Sequence, residues 1–214
     1  MTVSPVDLAS LLCSRLCHDL LSPVGALNNG LELLADETDP AMRDRCMDLL
    51  GQSARVSAAK LKFYRLAFGA GGGFGDKVDA RDVEAAVRGL VADNKRVKLG
   101  WYVEEPQLPK PAAKVLLNLV LVAADALVRG GALDVGAEEA DGATEIVVKM
   151  EGGRIVLDPE LRRTLTEGEG AEGVTARSAP AYITHELVRQ SAGAIQVSEP
   201  AADVMILGAT LRAG

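Results

Sequence analysis

Residues 69–75 read Gly-Ala-Gly-Gly-Gly-Phe-Gly, and five glycines in seven positions make a backbone too costly in conformational entropy to hold as helix or strand. The run divides the 214-residue chain into 1–75, linker included, and 76–214. A length above the usual ~100–150 residues of one domain agrees with two small ones. The only other low-complexity stretch is the polar, glycine-rich 167–173, and no internal repeat occurs. With 48% hydrophobic and 25% charged residues the chain reads as folded and soluble. Its net charge of −7 repels phosphate backbones and anionic lipid, which argues against nucleic-acid and membrane-surface binding.

Before the glycines, every long segment has helical periodicity. Leu12, Leu16, Leu20, Val24, Leu27, Leu31 and Leu34 recur at three- and four-residue steps and form one stripe on a helix over about 6–36. Asp39 is placed to cap a second helix, with Pro40 at its first position, running to about residue 68. On it Met42, Leu49, Val56 and Phe63 repeat every seven residues, beside a second apolar row of Leu50, Ala54, Leu61 and Phe68. Two rows exceed what one antiparallel partner covers, so the hairpin is expected to pair with a second copy as a four-helix bundle homodimer.

After the glycines the periods mix. Helices are expected over 79–93, 111–128, 159–166 and 179–191, and strands over 97–103, 133–135, 144–150, 194–198 and 204–211. The whole is an α+β chain: a helical hairpin followed by an α/β sandwich. The apolar stretch 8–21 carries Arg15, His18 and Asp19, so it is neither a membrane span nor a signal peptide. Cys13, Cys17 and Cys46 are odd in number and too few for a disulfide framework, which points to a reducing cytoplasm.

His18 falls on the first helix roughly 180° from the centre of the leucine stripe, and so points to solvent. An exposed imidazole with the reference pKa of ~6.5 is largely neutral near pH 7, and one ring nitrogen keeps a free lone pair, as a nucleophile toward phosphorus requires. Five residues on, Pro23 removes the amide that would bond the Asp19 carbonyl, which loosens or bends this turn. Asp19 is placed to hold the imidazole or take its proton. Arg15, Ser22, Gly25 and Asn29 share the His18 face with Leu11, Ser14 and Glu32.

His18-Asp19-Leu20-Leu21-Ser22-Pro23, opening a helical hairpin, resembles the H-[DE]-x-x-[ST]-P phosphoacceptor motif of bacterial sensor histidine kinases. The segment 187–200, LVRQSAGAIQVSEP, resembles the LVxxxGGxIxVxSxP segment of their ATP-binding domain. The three nucleotide-binding elements of that domain are altered. Val122 stands where the resemblance implies the magnesium-binding Asn, and valine offers no oxygen. Met150 stands at the adenine-binding Asp. Ser178-Ala179-Pro180-Ala181-Tyr182 replaces the glycine-rich phosphate turn, where Pro180 has no amide to donate.

A kinase-like scaffold without an ATP site resembles the ChpT family of alphaproteobacterial histidine phosphotransferases, over nearly the whole chain. The resemblance implies a phosphorelay that serves cell-cycle control. A receiver domain of a CckA-like hybrid histidine kinase would pass its phosphoryl group to His18. His18 would then phosphorylate response regulators such as CtrA-like and CpdR-like proteins. It implies no cofactor of the chain's own, because a receiver brings its magnesium, lysine and aspartate. The expected receiver-binding surface is Arg15, Leu21, Ser22, Gly25, Asn28 and Asn29, with Lys60 and Tyr64 from the second helix; Leu21 is an exposed apolar anchor. Two rival readings are a divergent ATP-dependent kinase and a pseudokinase adaptor that transfers nothing. A metal site from Cys13, Cys17 and His18 is disfavoured, because the helical step turns Cys13 inward as a small hydrophobe and His18 outward. His185, on the polar side of its helix, reads as surface structure.

Overall fold

The computed structural model describes residues 3–69, 75–168, 173–199 and 203–212; most of the glycine run, at 70–74, lies outside them, as does most of the 167–173 stretch. Two long helices come first. α1 (Pro5–Asp36) starts where the Ser4 hydroxyl accepts from the Asp7 amide at 3.1 Å, and α2 (Pro40–Ala67) starts on the Asp39 carboxylate, which accepts from the Ala41 amide at 3.2 Å. Arg43 closes the connection by donating to the carbonyls of Leu34 at 3.1 Å and Glu37 at 2.7 Å, groups that α1 itself leaves unpaired at its end. The helices pack tightly at buried Gly30, where an added Cβ would sit 2.9 Å from the Leu50 side chain. That contact admits no larger residue without displacing Leu50.

The second unit alternates strands and helices: β1 (Lys77–Asp79), α3 (Ala80–Val91), β2 (Val97–Val103), β3 (Gln107–Pro109), α4 (Lys110–Ala126), β4 (Gly131–Ala140), β5 (Ala143–Glu151), α5 (Pro159–Glu167), α6 (Ala179–Gln190), β6 (Ala194–Val197) and β7 (Val204–Arg212). Five strands form one sheet in the order β2-β4-β5-β7-β6, with β2 parallel to β4 and the other neighbours antiparallel. The burial of β5 and β7 alternates along each strand, so one face of the sheet is packed and the other is open. α4 is apolar nearly all round and lies in the middle of the core.

Two features of the strands differ from the expectation. β1 and β3 form a separate antiparallel pair of three residues each, too short to show alternation in sequence. β4 spans ten residues rather than three; its Leu133, Val135 and Ala137 alternate inward, but flanking glycines and glutamates mask that period. Gly130 and Gly131 take φ of 82° and 145° in the turn that feeds β4, where a Cβ on either would strike the backbone of Arg96 or Glu151.

The hairpin and the second unit share one core. Phe63, Tyr64 and Ala67 are buried in the same cluster as α3 and α4. The lower end of the heptad row on α2, expected to await a second copy, is therefore covered by the chain's own second unit. The upper part stays open: Val24 and Leu31 on α1, and Met42, Leu49 and Leu61 on α2, are exposed. Cys13 and Cys17 are exposed as well, and only Cys46 is buried. This corrects the inward placement of Cys13. It lies on the same arc of α1 as Val24 and Leu31, the edge of the stripe that α2 does not reach.

Candidate functional site

α1 continues through Pro23, which leaves the Asp19 carbonyl without its usual amide donor. Lys60 of α2 supplies the replacement, its ammonium donating to Asp19 O at 2.9 Å. A charge-assisted bond across the hairpin thus satisfies a break in the α1 ladder one residue from the phosphoacceptor candidate. His18 itself has 84% of its side chain exposed.

The Asp19 carboxylate organises the site. Its Oδ1 lies 3.0 Å from His18 Nδ1, and its Oδ2 accepts from Arg15 Nε at 2.9 Å and from the Tyr64 hydroxyl. Arg15 turns its other end to Asp125 of α4, Nη2 to Oδ2 at 2.7 Å. An exposed i,i+4 pair contributes only ~0.3–0.5 kcal/mol. The Arg15 and Asp19 side chains, however, are 11% and 16% exposed, so their charges are little screened and each depends on its partners. Burial alone would raise the Asp19 carboxyl, but hydrogen bonds from Tyr64 and His18 and the charge of Arg15 outweigh it and hold it below the ordinary carboxylate range. Burial and the bond to Asp19 push the Tyr64 phenol well above its usual range, so it remains a donor. Burial opposes the charge on Arg15, and the carboxylates of Asp125 and Asp19 more than restore it.

An ionised carboxylate only accepts, so the proton of a neutral His18 ring sits on Nδ1, and Nε2 presents its lone pair to solvent. What the arrangement can do chemically is nucleophilic attack by Nε2 on an incoming electrophile.

The residues expected to form a docking surface divide into two groups. Leu21, 71% exposed, and Ser22, Asn28 and Asn29 face solvent, and the space above Gly25 is open. Arg15 and Tyr64 do not belong to that surface. Tyr64 is buried with its ring stacked on Phe68 at 5.1 Å, and Arg15 is clamped between two carboxylates, so both act beneath the site on Asp19. Half-buried Lys60 is engaged by the Asp19 carbonyl. His185 is likewise no plain surface residue: its Nδ1 lies 3.0 Å from the Leu165 carbonyl, tying α6 to α5. Asp125 carries no sequence signal, since nothing local marks a carboxylate 110 residues from its partner.

A cleft of about 580 Å³ opens beside Arg15, Asp19 and Lys60, walled on the far side by Asp93, Lys95 and Arg96 of the α3–β2 turn. The three positions expected to replace the kinase nucleotide-binding groups do not line it. Val122, Met150 and Pro180 are all buried, the first two in the main core cluster, and none presents a donor or acceptor side chain to a phosphate or a base.

Residues 80–203 match the family described as the histidine phosphotransferase C-terminal domain. The protein phosphotransferase ChpT of Brucella abortus is 36% identical over 205 residues, covering 96% of each chain. A solved structure of a bacterial phosphotransferase superimposes with a TM-score of 0.85 at 34% identity, covering 98% of both chains. These matches define a phosphotransferase of the phosphorelay type. The chain belongs to the ChpT-like histidine phosphotransferase family.

Proposed function

We propose that His18 is the residue that carries the phosphoryl group, exchanging it with the aspartyl phosphates of receiver domains. The observation that carries this reading is an imidazole 84% exposed whose Nδ1 is held at 3.0 Å by a carboxylate fastened from below. In the transfer, the Nε2 lone pair forms the P–N bond while the acyl O–P bond breaks, and the receiver carboxylate leaves with the electron pair. The ring gains a positive charge, which the Nδ1–H bond to Asp19 stabilises where it develops. Transfer onward is the same step reversed. No base is required, so Asp19 orients and stabilises rather than removing a proton. Magnesium belongs to the receiver in this scheme and neutralises charge on the group in flight.

The donor is a receiver of a CckA-like hybrid histidine kinase, and the acceptors are CtrA-like and CpdR-like response regulators of cell-cycle control. Leu21, Ser22, Gly25, Asn28 and Asn29 form the contact face. The chain works as a homodimer, whose seam is the exposed row of Val6, Cys13, Cys17, Val24 and Leu31 on α1 with Met47, Ala54 and Leu61 on α2. These recur at steps of seven or four, as bundle packing requires. Among the described residues no helix is long and apolar enough to cross a membrane. The exposed thiols suit a reducing cytoplasm, where the reading places the protein.

The test is to mix the protein with a receiver carrying labelled phosphate, with magnesium and without ATP. Label is expected on the wild-type chain, in acid-labile form, and none on His18→Ala. Transfer that survives in His18→Ala, or none to wild type from a panel of receivers, would overturn the proposal.

A further inference from the structure

We infer that Asp125, supplied by α4 of the second unit, is a positioning residue for phosphoryl transfer: through Arg15 it holds Asp19 against His18 and so sets which imidazole nitrogen is free to react. This rests on the proposed role of His18, and it assigns a task to the second unit.

The contacts run in series. Asp125 Oδ2 takes Arg15 Nη2 at 2.7 Å, Arg15 Nε reaches Asp19 Oδ2 at 2.9 Å, and Asp19 Oδ1 stands 3.0 Å from His18 Nδ1. A guanidinium is a rigid fork, so fixing one end fixes the direction of the other. Without Asp125, Arg15 would be held by Asp19 alone and its guanidinium could swing toward the adjoining cleft, leaving the Tyr64 hydroxyl as the only remaining fixed tie on the Asp19 carboxylate from beneath. Charge leads to the same conclusion. Two carboxylates share one guanidinium, so the negative charge of Asp19 is not used up and remains available to the Nδ1–H donor and to the positive ring formed on phosphorylation. Other charges face the same cleft, namely Lys60, Lys95, Arg96 and Asp93, so a purely through-space effect of Asp125 must be separated from one relayed by Arg15.

The Asp125 side chain is 41% exposed, so its removal leaves no cavity in the core. The ring-nitrogen NMR spectrum of His18 in the full chain, recorded without any receiver, reads the tautomer directly. In Asp125→Ala the Nδ1–H form is expected to lose population to the Nε2–H form, and single-turnover transfer at saturating receiver to fall about tenfold, as a slightly misplaced nucleophile would. Asp125→Asn, which keeps an acceptor for Arg15, is expected to lie between. Receiver affinity should stay within about twofold, and on an Arg15→Met background Asp125→Ala should change neither rate nor spectrum by more than that.

The inference is overturned if Asp125→Ala leaves the ring spectrum and the rate as in wild type, or if the same loss persists without Arg15. It is equally overturned if receiver affinity falls while the ring is unchanged, which would make Asp125 a docking contact. Because the spectrum needs no receiver, the two claims separate. A wild type that takes no label refutes the phosphotransfer reading, whereas a tautomer that ignores Asp125 refutes this one.

Discussion

Asp19→Ala is expected to slow phosphoryl transfer about a hundredfold and to destabilise the fold by about 3 kcal/mol. Both effects have one origin, since a single carboxylate serves His18, Arg15 and the Tyr64 hydroxyl. Its loss frees the ring to place its proton on the attacking nitrogen. It also strands the Tyr64 hydroxyl, which costs more unpaired than its bond contributes when made, and it leaves a guanidinium that is 11% exposed with Asp125 as its one carboxylate partner. Asp19→Asn should be milder, because an amide oxygen still accepts but carries no charge for the phosphorylated ring. Denaturant midpoints and single-turnover rates check both variants.

Acid adds a signature. The Asp19 carboxyl lies below its ordinary range in the folded state. Its stabilising contribution is therefore fully present above the unfolded value of ~3.9 and is lost as pH falls through the lower folded one. The difference in midpoint between wild type and Asp19→Ala should accordingly be constant near neutrality and shrink only in strong acid.

The second large effect concerns assembly. Val24→Asp combined with Leu31→Asp is expected to convert the protein to monomers, raising the dimer dissociation constant more than about a thousandfold. A twofold axis brings each substitution in twice. Burying an apolar side chain contributes ~1.5–3 kcal/mol, and a carboxylate left in the seam opposes association further. Both residues are exposed in a single chain, so the fold should survive. Sedimentation at micromolar concentration reads the outcome; a variant that remained dimeric would move the interface elsewhere. By the 100° step, His18 lies about 120° round α1 from the proposed seam, so in that dimer receiver access and dimerisation would use different arcs of the same helix.

Periodicity and Pro23 together place His18 on an open face near a weakened turn, because both signals are local to α1 and need no knowledge of what packs where. The support beneath it has no such local signal. Lys60 reaches the Asp19 carbonyl only because of the register in which α2 docks on α1, and Asp125 arrives from another domain. Tyr64 reads as a contact residue from its place on the neighbouring second helix, yet the second unit closes over it, so tertiary packing converts an expected surface into a foundation. Cys13 shows the reverse: an apolar arc wide enough for two partners meets only one within the chain. The short β1 and β3 escape notice because three residues cannot display a period of two.

The most direct measurement is the identity of the phosphorylated atom. After transfer from a labelled receiver in the absence of ATP, peptide mapping with phosphorus and nitrogen NMR should find one phosphoryl group per chain, on Nε2 of His18. A phosphoryl group on Nδ1, the nitrogen turned to Asp19, or on any other residue would contradict the mechanism at its root.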